Sequence, residues 1–307
     1  AAERMAAAGL DGIELEAYGH LIDQFWSPLT NHRDDEYGGP LENRISFAQN
    51  VLRAIRKQVG PEFIVGIRMA IDEVTPGGFD TTTGLRILAL LEAEGLIDFV
   101  NVIRGTIATD AALTHVIPIH GMPSAPNLDF CGQVKAATAL PVLHSAKIDD
   151  ISTARYAIEA GQLDLVGMTR AHIADPHIAR KVAAGQESRI RPCVGATYCL
   201  DRIYEAGEAL CVHNAATSRE ATMPHVIARS DGAPRKVVVV GAGPAGLEAS
   251  RVAAVGRRRS VTSVTTPSVP SLPTNSLVRL SPATSFRRGP PSRTAVPSAS
   301  TTCRPRM

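Results

Sequence analysis

The sequence contains no hydrophobic segment long enough to cross a bilayer as a helix. Hydrophobic stretches such as residues 63–67 and Val237–Val240 are far shorter than the roughly 20 residues that a membrane span requires. Hydrophobic residues nevertheless make up 44% of the 307 positions, which is enough for a buried core and about two domains. We therefore expect a globular protein without a membrane partner.

Acidic residues and lysine are absent from residues 249–307, which contain ten arginines. The first 248 residues carry 22 basic and 30 acidic residues, a formal charge of 22 − 30 = −8, so the body of the chain is not that of a nucleic-acid-binding protein. Residues 256–307 are rich in Ser, Thr, Pro and Arg without any strand or helix periodicity, which predicts a disordered tail. The abrupt change suggests translation in a shifted reading frame, with a natural basic tail as the alternative.

Cysteine is sparse, at five residues, and three of them lie close together at Cys193, Cys199 and Cys211. This grouping favours a metal centre in a reducing compartment over a disulfide framework, so we expect a cytoplasmic protein. Residues 1–9 resemble the end of an amphipathic helix rather than a secretory leader. The natural start of the protein is therefore expected to lie upstream.

Short apolar segments typical of strands recur along the chain, at residues 12–15, 63–69, 99–103, 142–144 and 163–168. Between them, residues 46–59, 83–94 and 151–160 have apolar side chains at the i, i+3, i+4 spacing of a helix with one buried face. This alternation predicts an α/β fold with a parallel sheet that is covered on both faces. Five such units are consistent with strands four to eight of an eight-stranded barrel, and an open doubly wound sheet is the alternative.

A second domain is predicted to begin at residue 235. The strand Val237–Val240 enters a glycine-rich turn with Gly241, Gly243 and Gly246, and a helical pattern follows over residues 247–254. This is the first βα unit of a dinucleotide-binding fold, in which the glycines allow a pyrophosphate to approach the helix N-terminus. The second strand and the acidic residue that would bind the ribose are not found after it.

The densest local pattern lies between residues 19 and 44 and comprises Gly19-His-Leu-Ile-Asp-Gln-Phe-Trp-Ser-Pro28, Asn31-His-Arg-Asp-Asp-Glu-Tyr-Gly-Gly39 and Leu41-Glu-Asn-Arg44. It resembles the long fourth βα loop of the Old Yellow Enzyme family, in the branch that includes trimethylamine dehydrogenase, 2,4-dienoyl-CoA reductase and N-methylproline demethylase-like enzymes. The resemblance extends to about residue 250.

This resemblance implies that the chain is a fragment with four parts. Residues 1–185 would form strands four to eight of an FMN-binding (β/α)8 TIM barrel, and residues 186–234 a cysteine-cluster segment with a linker. Residues 235–255 would form the first βα unit of a Rossmann-like domain. Residues 256–307 would be the disordered tail.

Polar side chains at the C-terminal end of a barrel strand face the active site. The resemblance places His20 where relatives often have a Tyr that donates a proton or orients the substrate, and Tyr18 where they have a substrate-binding His. The choice between them stays open. An unpaired guanidinium in an apolar strand is too costly, so Arg68 must meet an anion or strong hydrogen-bond acceptors. By resemblance it lies beside the flavin N1–C2 edge, and an ion pair with Glu14 or Glu16 is the alternative.

Barrel enzymes often bind a phosphate through the loops after strands seven and eight. Two segments resemble the FMN-phosphate loops of the family. Residues 144–147 contain Ala146, in place of a familiar Gly, and Lys147. Residues 167–170 contain Gly167 and Arg170, whose guanidinium would make a charge-assisted contact.

The spacing Cys193-x5-Cys199-x11-Cys211 resembles the motif by which this branch binds a [4Fe–4S] cluster with four thiolates. Ala196 stands where the second ligand is expected, so only three thiolates are present. His213 as a non-cysteine fourth ligand and a three-iron form of the cluster are the two ways in which three thiolates would suffice. Zinc, or three free thiols without a metal, are the other interpretations.

The resemblance implies a flavin-dependent oxidoreductase that transfers hydride between its substrate and the flavin. Residues 16–20 and 193–196 favour oxidative N-demethylation of a small N-methyl amine or amino acid. NAD(P)H-dependent reduction of an enone or enoyl substrate, and an inactive truncated fragment, are the alternatives. The expected cofactors are FMN, a [4Fe–4S] cluster, and NAD(P) or FAD/ADP at the second domain. We expect a small-molecule substrate and no nucleic acid, and leave a homo-oligomer open.

Overall fold

The computed structural model describes residues 1–228, 231–233, 236–256 and 261–264. The chain divides into two compact units, Ala1–Val226 and Ile227–Met307. This boundary falls inside the segment 186–234, which the sequence predicts to contain a linker. No helix of the described residues is long and apolar enough to pass through a membrane.

The first unit is built on one parallel sheet of five strands. They are β1 (Gly12–Ala17), β2 (Ile64–Asp72), β3 (Phe99–Arg104), β4 (Val142–His144) and β5 (Leu165–Val166). Their order in the sheet is the order along the chain, β1-β2-β3-β4-β5. A doubly wound sheet reverses this order at its switch point. The doubly wound alternative is therefore wrong, and consecutive parallel strands of this kind are typical of a (β/α)8 barrel.

Helices connect these strands, as the periodicity predicts. They are α1 (Ala2–Ala7), α2 (Leu21–Trp26), α3 (Leu41–Val59), α4 (Thr81–Ala93), α5 (Asp110–Val116), α6 (Leu128–Ala136), α7 (Ile151–Glu159), α8 (Thr169–Ala174), α9 (Ile178–Ala183) and α10 (Tyr198–Tyr204), with a 3-10 turn at Glu187–Arg189. The side chains of Asp80 and Asp150 cap α4 and α7 by accepting the N–H groups of Thr83 and Thr153.

Two elements differ in length from the prediction. Helix α3 begins at Leu41 instead of residue 46, because Pro40 at its N-cap has a φ of −57° that suits a helix start, and Leu41 is buried. Strand β5 has two residues instead of the six at 163–168. Its flanks still bond to β4, since the Gly167 N–H donates to the His144 carbonyl at 2.9 Å.

The core lies between the sheet and its helices. Alternate residues of β2, including Val65, Ile67 and Met69, are fully buried together with Leu52 of α3 and Leu91 of α4. The opposite face of the sheet carries polar side chains in register. Glu16 on β1 is paired with Arg68 on β2, and Arg68 with Asn101 on β3. Side chains alternate across a strand, so this polar row emerges on the side away from the helices.

The second unit contains β6 (Val237–Val240), α11 (Pro244–Gly256) and β7 (Val261–Val264), with β6 and β7 parallel. The strand–turn–helix predicted here is therefore present, although the valines of β6 are mostly exposed rather than buried. Strand β7 corrects two predictions, that no second strand follows and that order ends at residue 256. The rest of the predicted tail lies outside the described residues.

Candidate active site

A cavity of about 280 Å³ lies where the carboxyl ends of the strands of the first unit meet. Tyr18 directly after β1, Arg68 of β2, residues 145–149 after β4 and residues 168–171 after β5 line it. Part of α10 forms another wall. The C-terminal edge of a parallel α/β sheet is where such folds place ligands. Two groups of predicted residues therefore surround one cavity. Tyr18 was predicted at the end of a strand and Arg68 within one, and the other group was predicted as two phosphate-binding loops.

Arg68 is held between an aromatic ring and a carboxylate. Its Cζ atom lies 4.9 Å from the centroid of the Tyr18 ring, within the range of a cation–π contact. Its Nη1 atom donates to Glu16 Oε2 at 3.3 Å. Glu14 instead accepts a hydrogen bond from Asn101 Nδ2 at 3.0 Å. Of the two ion pairs that the sequence left open, the structure forms the one with Glu16.

Burial changes the acid–base behaviour of this group. It raises the pKa of the Glu16 carboxyl, although the positive charge of Arg68 opposes the rise. Burial also raises the pKa of the Tyr18 phenol, again against Arg68. Tyr18 is therefore a neutral hydroxyl at neutral pH and is able to donate a hydrogen bond.

The structure places Tyr18 and His20 differently. Tyr18 is 8% exposed and lines the cavity. His20 is exposed at the N-cap of α2, and it is not among the residues that line the cavity. The Asp23 carboxylate accepts the N–H groups of Gly19 and His20. This local turn holds His20 at the surface.

The two predicted phosphate loops both reach the cavity. Ala146 and Lys147 line it, but Lys147 Nζ donates to the Ile119 carbonyl at 2.9 Å and to that of Met122. The Lys147 ammonium is thus engaged by backbone. A Cβ atom at Gly167 would lie 2.6 Å from Ser145 Cβ, so only glycine lets the two loops approach this closely.

Arg170 offers a donor in the wall of the cavity. Its Nη2 atom donates to the Pro118 carbonyl at 2.8 Å, and its buried Nη1 atom has no partner among the described residues. Arg68 Nε is likewise buried without a partner in the described part of the chain. A buried donor without an acceptor is costly. Both arginines therefore suit a ligand with acceptor atoms, and the phosphate and carbonyl groups of FMN are of this kind.

The three cysteines line a second, smaller cavity, together with Ala196 and His213. Cys199 also lines the first cavity. Burial raises the pKa of the Cys199 thiol. No group of three or more His, Cys, Asp or Glu side chains in the described residues is arranged to hold a metal ion.

A four-thiolate cluster does not fit these residues. Ala196 has no donor atom at the expected ligand position, and His213 Nδ1 lies 2.8 Å from the Pro192 carbonyl oxygen. A [4Fe–4S] cluster bound by cysteine alone requires four thiolates, and the cavity provides three. We therefore derive no chemistry through such a cluster.

In the second unit, the glycines of the turn have separate structural reasons. Gly241 has a φ of +109°, which residues with a side chain rarely adopt. A Cβ atom at Gly246 would lie 2.0 Å from the Gly241 carbonyl oxygen. A Cβ atom at Gly243 would meet nothing within 4 Å. Strand β7 contains no acidic residue. Nucleotide binding by these glycines stays a prediction.

Two further polar residues of the sheet lie close to the predicted ones. Asn101, which was not predicted, bonds to Glu14. His144, the first residue of the predicted segment 144–147, is 1% exposed with Nδ1 2.7 Å from the Val102 carbonyl oxygen. The signal for Asn101 is a polar residue within an apolar strand, the same signal that indicated Arg68.

Residues 1–189 match the NADH:flavin oxidoreductase / NADH oxidase family. The chain belongs to this family. The match confirms the family that the motifs of residues 19–44 indicate. It also confirms that this is a family of flavin-dependent oxidoreductases.

Curated relatives in the family include two proteins named for N-methyl compounds. A probable N-methylproline demethylase of Rhizobium meliloti (strain 1021) is 62% identical over 253 residues, covering 82% of this chain and 37% of the relative. An N,N-dimethylglycine/sarcosine dehydrogenase of Chromohalobacter salexigens is 50% identical over 255 residues, with coverages of 82% and 37%. The chain thus spans less than two-fifths of the length of these relatives.

Among solved structures, histamine dehydrogenase from Rhizobium sp. 4-9 is similar with a TM-score of 0.77 and 27% identity. The similarity covers 86% of this chain and 38% of that one. A 2-naphthoyl-CoA reductase also has a TM-score of 0.77, at 29% identity, covering 83% and 38% of the two chains. These TM-scores show that both structures share the fold of this chain over the matched part.

Proposed function

We propose that the protein containing this chain is an FMN-dependent oxidoreductase that oxidises a small N-methyl amine or amino acid with loss of the methyl group. The observation that carries the proposal is the cavity at the carboxyl ends of the strands, where Tyr18, Arg68 and Arg170 come together. The names of the two curated relatives support the choice of an N-methyl substrate.

The binding of FMN would be divided between the two arginines. Arg170 and the loops at residues 145–149 and 168–171 would hold the phosphate, since they follow adjacent strands and Arg170 has an unused N–H group. Arg68 would face the pyrimidine edge of the ring. When bound, FMN supplies the hydride-accepting chemistry.

Tyr18 would position the substrate. Its phenol stays protonated because burial raises its pKa, so the hydroxyl is able to donate a hydrogen bond to a carboxylate or to an amine lone pair. Arg68 packs against the Tyr18 ring and limits its rotation. The position of His20 at the surface makes Tyr18 the better choice of the two.

Anaerobic mixing of the full-length flavoprotein with candidate substrates tests the direction of the reaction. We expect N-methylproline to bleach the flavin and proline, which lacks the methyl group, to leave it oxidised. Bleaching by NADH but not by N-methylproline would favour the alternative, an NAD(P)H-dependent enone or enoyl reductase. If neither compound reduces the flavin, both functions are wrong. Absence of bound flavin from the purified 307-residue chain would support the third alternative, an inactive truncated fragment.

We further propose that a nucleotide, NAD(P) or FAD/ADP, binds the glycine turn of the second unit in the full-length protein. A reducing, cytoplasmic location is also proposed, because the four cysteines of the described residues are free thiols. Isothermal titration of the full-length protein with ADP would test the first proposal, and absence of heat with ADP and NADH would contradict it.

A further inference from the structure

A compact group of side chains joins the first two strands. It consists of Glu16 of β1, Arg68 of β2 and Tyr18, the residue directly after β1. Glu16 and Arg68 are register partners on neighbouring strands, so their side chains leave the same face of the sheet. The ion pair measures 3.3 Å, and the two side chains are only 38% and 26% exposed. On the other side of the guanidinium, the Tyr18 ring lies 4.9 Å away.

This arrangement leaves the Arg68 guanidinium few orientations. The guanidinium is planar and its donors have a fixed geometry, so a carboxylate at one nitrogen and a ring against its face together define its plane. Arg68 lines the cavity, and its Nε atom has no partner within the described part of the chain. The guanidinium is therefore fixed in place with a donor still available.

The charge of Glu16 also acts on whatever lies in the cavity. A carboxylate within 3.3 Å of a guanidinium nitrogen offsets part of its positive field, and partial burial limits screening by solvent. Glu14, two residues earlier on the same strand face, makes no ion pair with Arg68: its carboxylate accepts from Asn101, and the residue is exposed, so solvent screens its charge more strongly.

We propose that Glu16 is the positioning residue for Arg68, holding its guanidinium against Tyr18 and reducing the positive charge that a bound flavin experiences. The inference rests on the proposed function, since it requires FMN in this cavity. Reduction adds negative charge to the flavin, so Arg68 favours the reduced form and Glu16 opposes that preference.

The test compares three forms of the full-length protein, each loaded with FMN. They are the wild type, Glu16→Gln and Glu14→Gln. Gln keeps an acceptor for Arg68 and removes the charge. We expect the ratio of reduced to oxidised flavin at a fixed poise to rise on the order of tenfold in Glu16→Gln, and to stay at the wild-type value in Glu14→Gln. Equal ratios in all three proteins, with FMN bound, would overturn the inference and leave the proposed function standing.

A double-mutant cycle then separates positioning through Arg68 from a direct effect of the carboxylate. In an Arg68→Met background, Glu16→Gln is expected to shift the ratio less than in the wild type, because the carboxylate then has no guanidinium to orient and only its own field on the flavin remains. A shift of the same size with and without Arg68 would show that Glu16 does not act through it. If Arg68→Met loses FMN, Arg68→Lys serves instead, and a reduced shift is expected because Lys lacks the planar fork. Failure of the wild type to bind FMN would overturn both the proposed function and this inference.

Discussion

The Ser27 hydroxyl donates a hydrogen bond to the Glu73 carboxylate across 3.0 Å, and both residues are buried. The same oxygen, Oε2, accepts the N–H group of Phe79 at 2.8 Å. Ser27 follows α2 and Glu73 follows β2, so this contact joins the loop after β1 to the loop after β2. Both loops lie on the edge of the sheet that carries the candidate active site.

The Glu73 contact predicts a difference between two substitutions. Glu73→Gln keeps one side-chain oxygen for both donors and removes a carboxyl group whose pKa burial has raised. We therefore expect the free energy of unfolding to change by no more than about 1 kcal/mol. Glu73→Leu leaves both donors unpaired and is expected to cost about 3 kcal/mol. Urea unfolding at neutral pH measures both values. Equal losses would show that the hydrogen bonds do not stabilise the loops.

Two helical glycines are predicted to respond oppositely to alanine. A Cβ atom at Gly84 of α4 would lie 2.0 Å from the Ile71 carbonyl oxygen, so Gly84→Ala forces the helix away from β2. We expect a loss of about 2 kcal/mol or more. At Gly132 of α6 the nearest atom is Gln162 Cγ at 3.4 Å, so Gly132→Ala should gain up to about 1 kcal/mol. Thermal unfolding of the two variants decides, and a stable Gly84→Ala protein would contradict the packing.

His144 is predicted to make the fold sensitive to acid. Burial lowers its pKa from 6.5 to about 4, so the unfolded chain takes up a proton at a higher pH than the folded one. The contribution of His144 to the free energy of unfolding is therefore fully present above pH 6.5. It falls by about 3 kcal/mol as the pH decreases toward 4.

The variant His144→Asn tests this dependence. Its amide can still donate to the Val102 carbonyl, but it does not titrate. Unfolding by urea between pH 4.5 and 7.5 should show a shallower loss of stability than in the wild type. The control His32→Asn changes an exposed histidine and should retain the wild-type slope. Identical slopes in wild type and His144→Asn would disprove the prediction.

Tyr18 and His20 are predicted to differ in their effect on turnover. Tyr18→Phe keeps the ring against Arg68 and removes the hydroxyl, so flavin content should be unchanged while kcat/KM for the amine falls about 10²-fold. His20→Gln changes an exposed side chain and should alter kcat/KM by no more than about twofold. Steady-state kinetics on the full-length protein compares the two variants. A larger loss of kcat/KM in His20→Gln than in Tyr18→Phe would show that His20 positions the substrate.

Ala196 is predicted to be the reason that the cysteine cavity does not hold a four-thiolate cluster. After anaerobic reconstitution with iron and sulfide, Ala196→Cys should contain about four irons per chain and the wild type clearly fewer. The control Ala184→Cys adds an exposed cysteine that does not line the cavity and should match the wild type. Four irons in the wild type would show that another group completes the site.

Much of the fold was predictable because its signals are periodic and local. Strand β4 was predicted to the residue, and the helices at residues 83–94 and 151–160 have their predicted positions within two residues. Strand β7 was missed because four residues are too few to show a period, and because its partner β6 is separated from it in sequence by helix α11. A residue-type pattern records which side of an element is apolar but not which strand lies beside it.

The sequence by itself determined the succession of strands and helices, the cysteine spacing, and the need of Arg68 for a partner, since each follows from periodicity or from the cost of a buried charge. Only the tertiary structure decided that this partner is Glu16 and not Glu14, and that Tyr18 lines the cavity while His20 does not. Glu16 and Arg68 are 52 residues apart. Their pairing depends on the register of two strands, and register is set by the packing of the whole sheet against its helices.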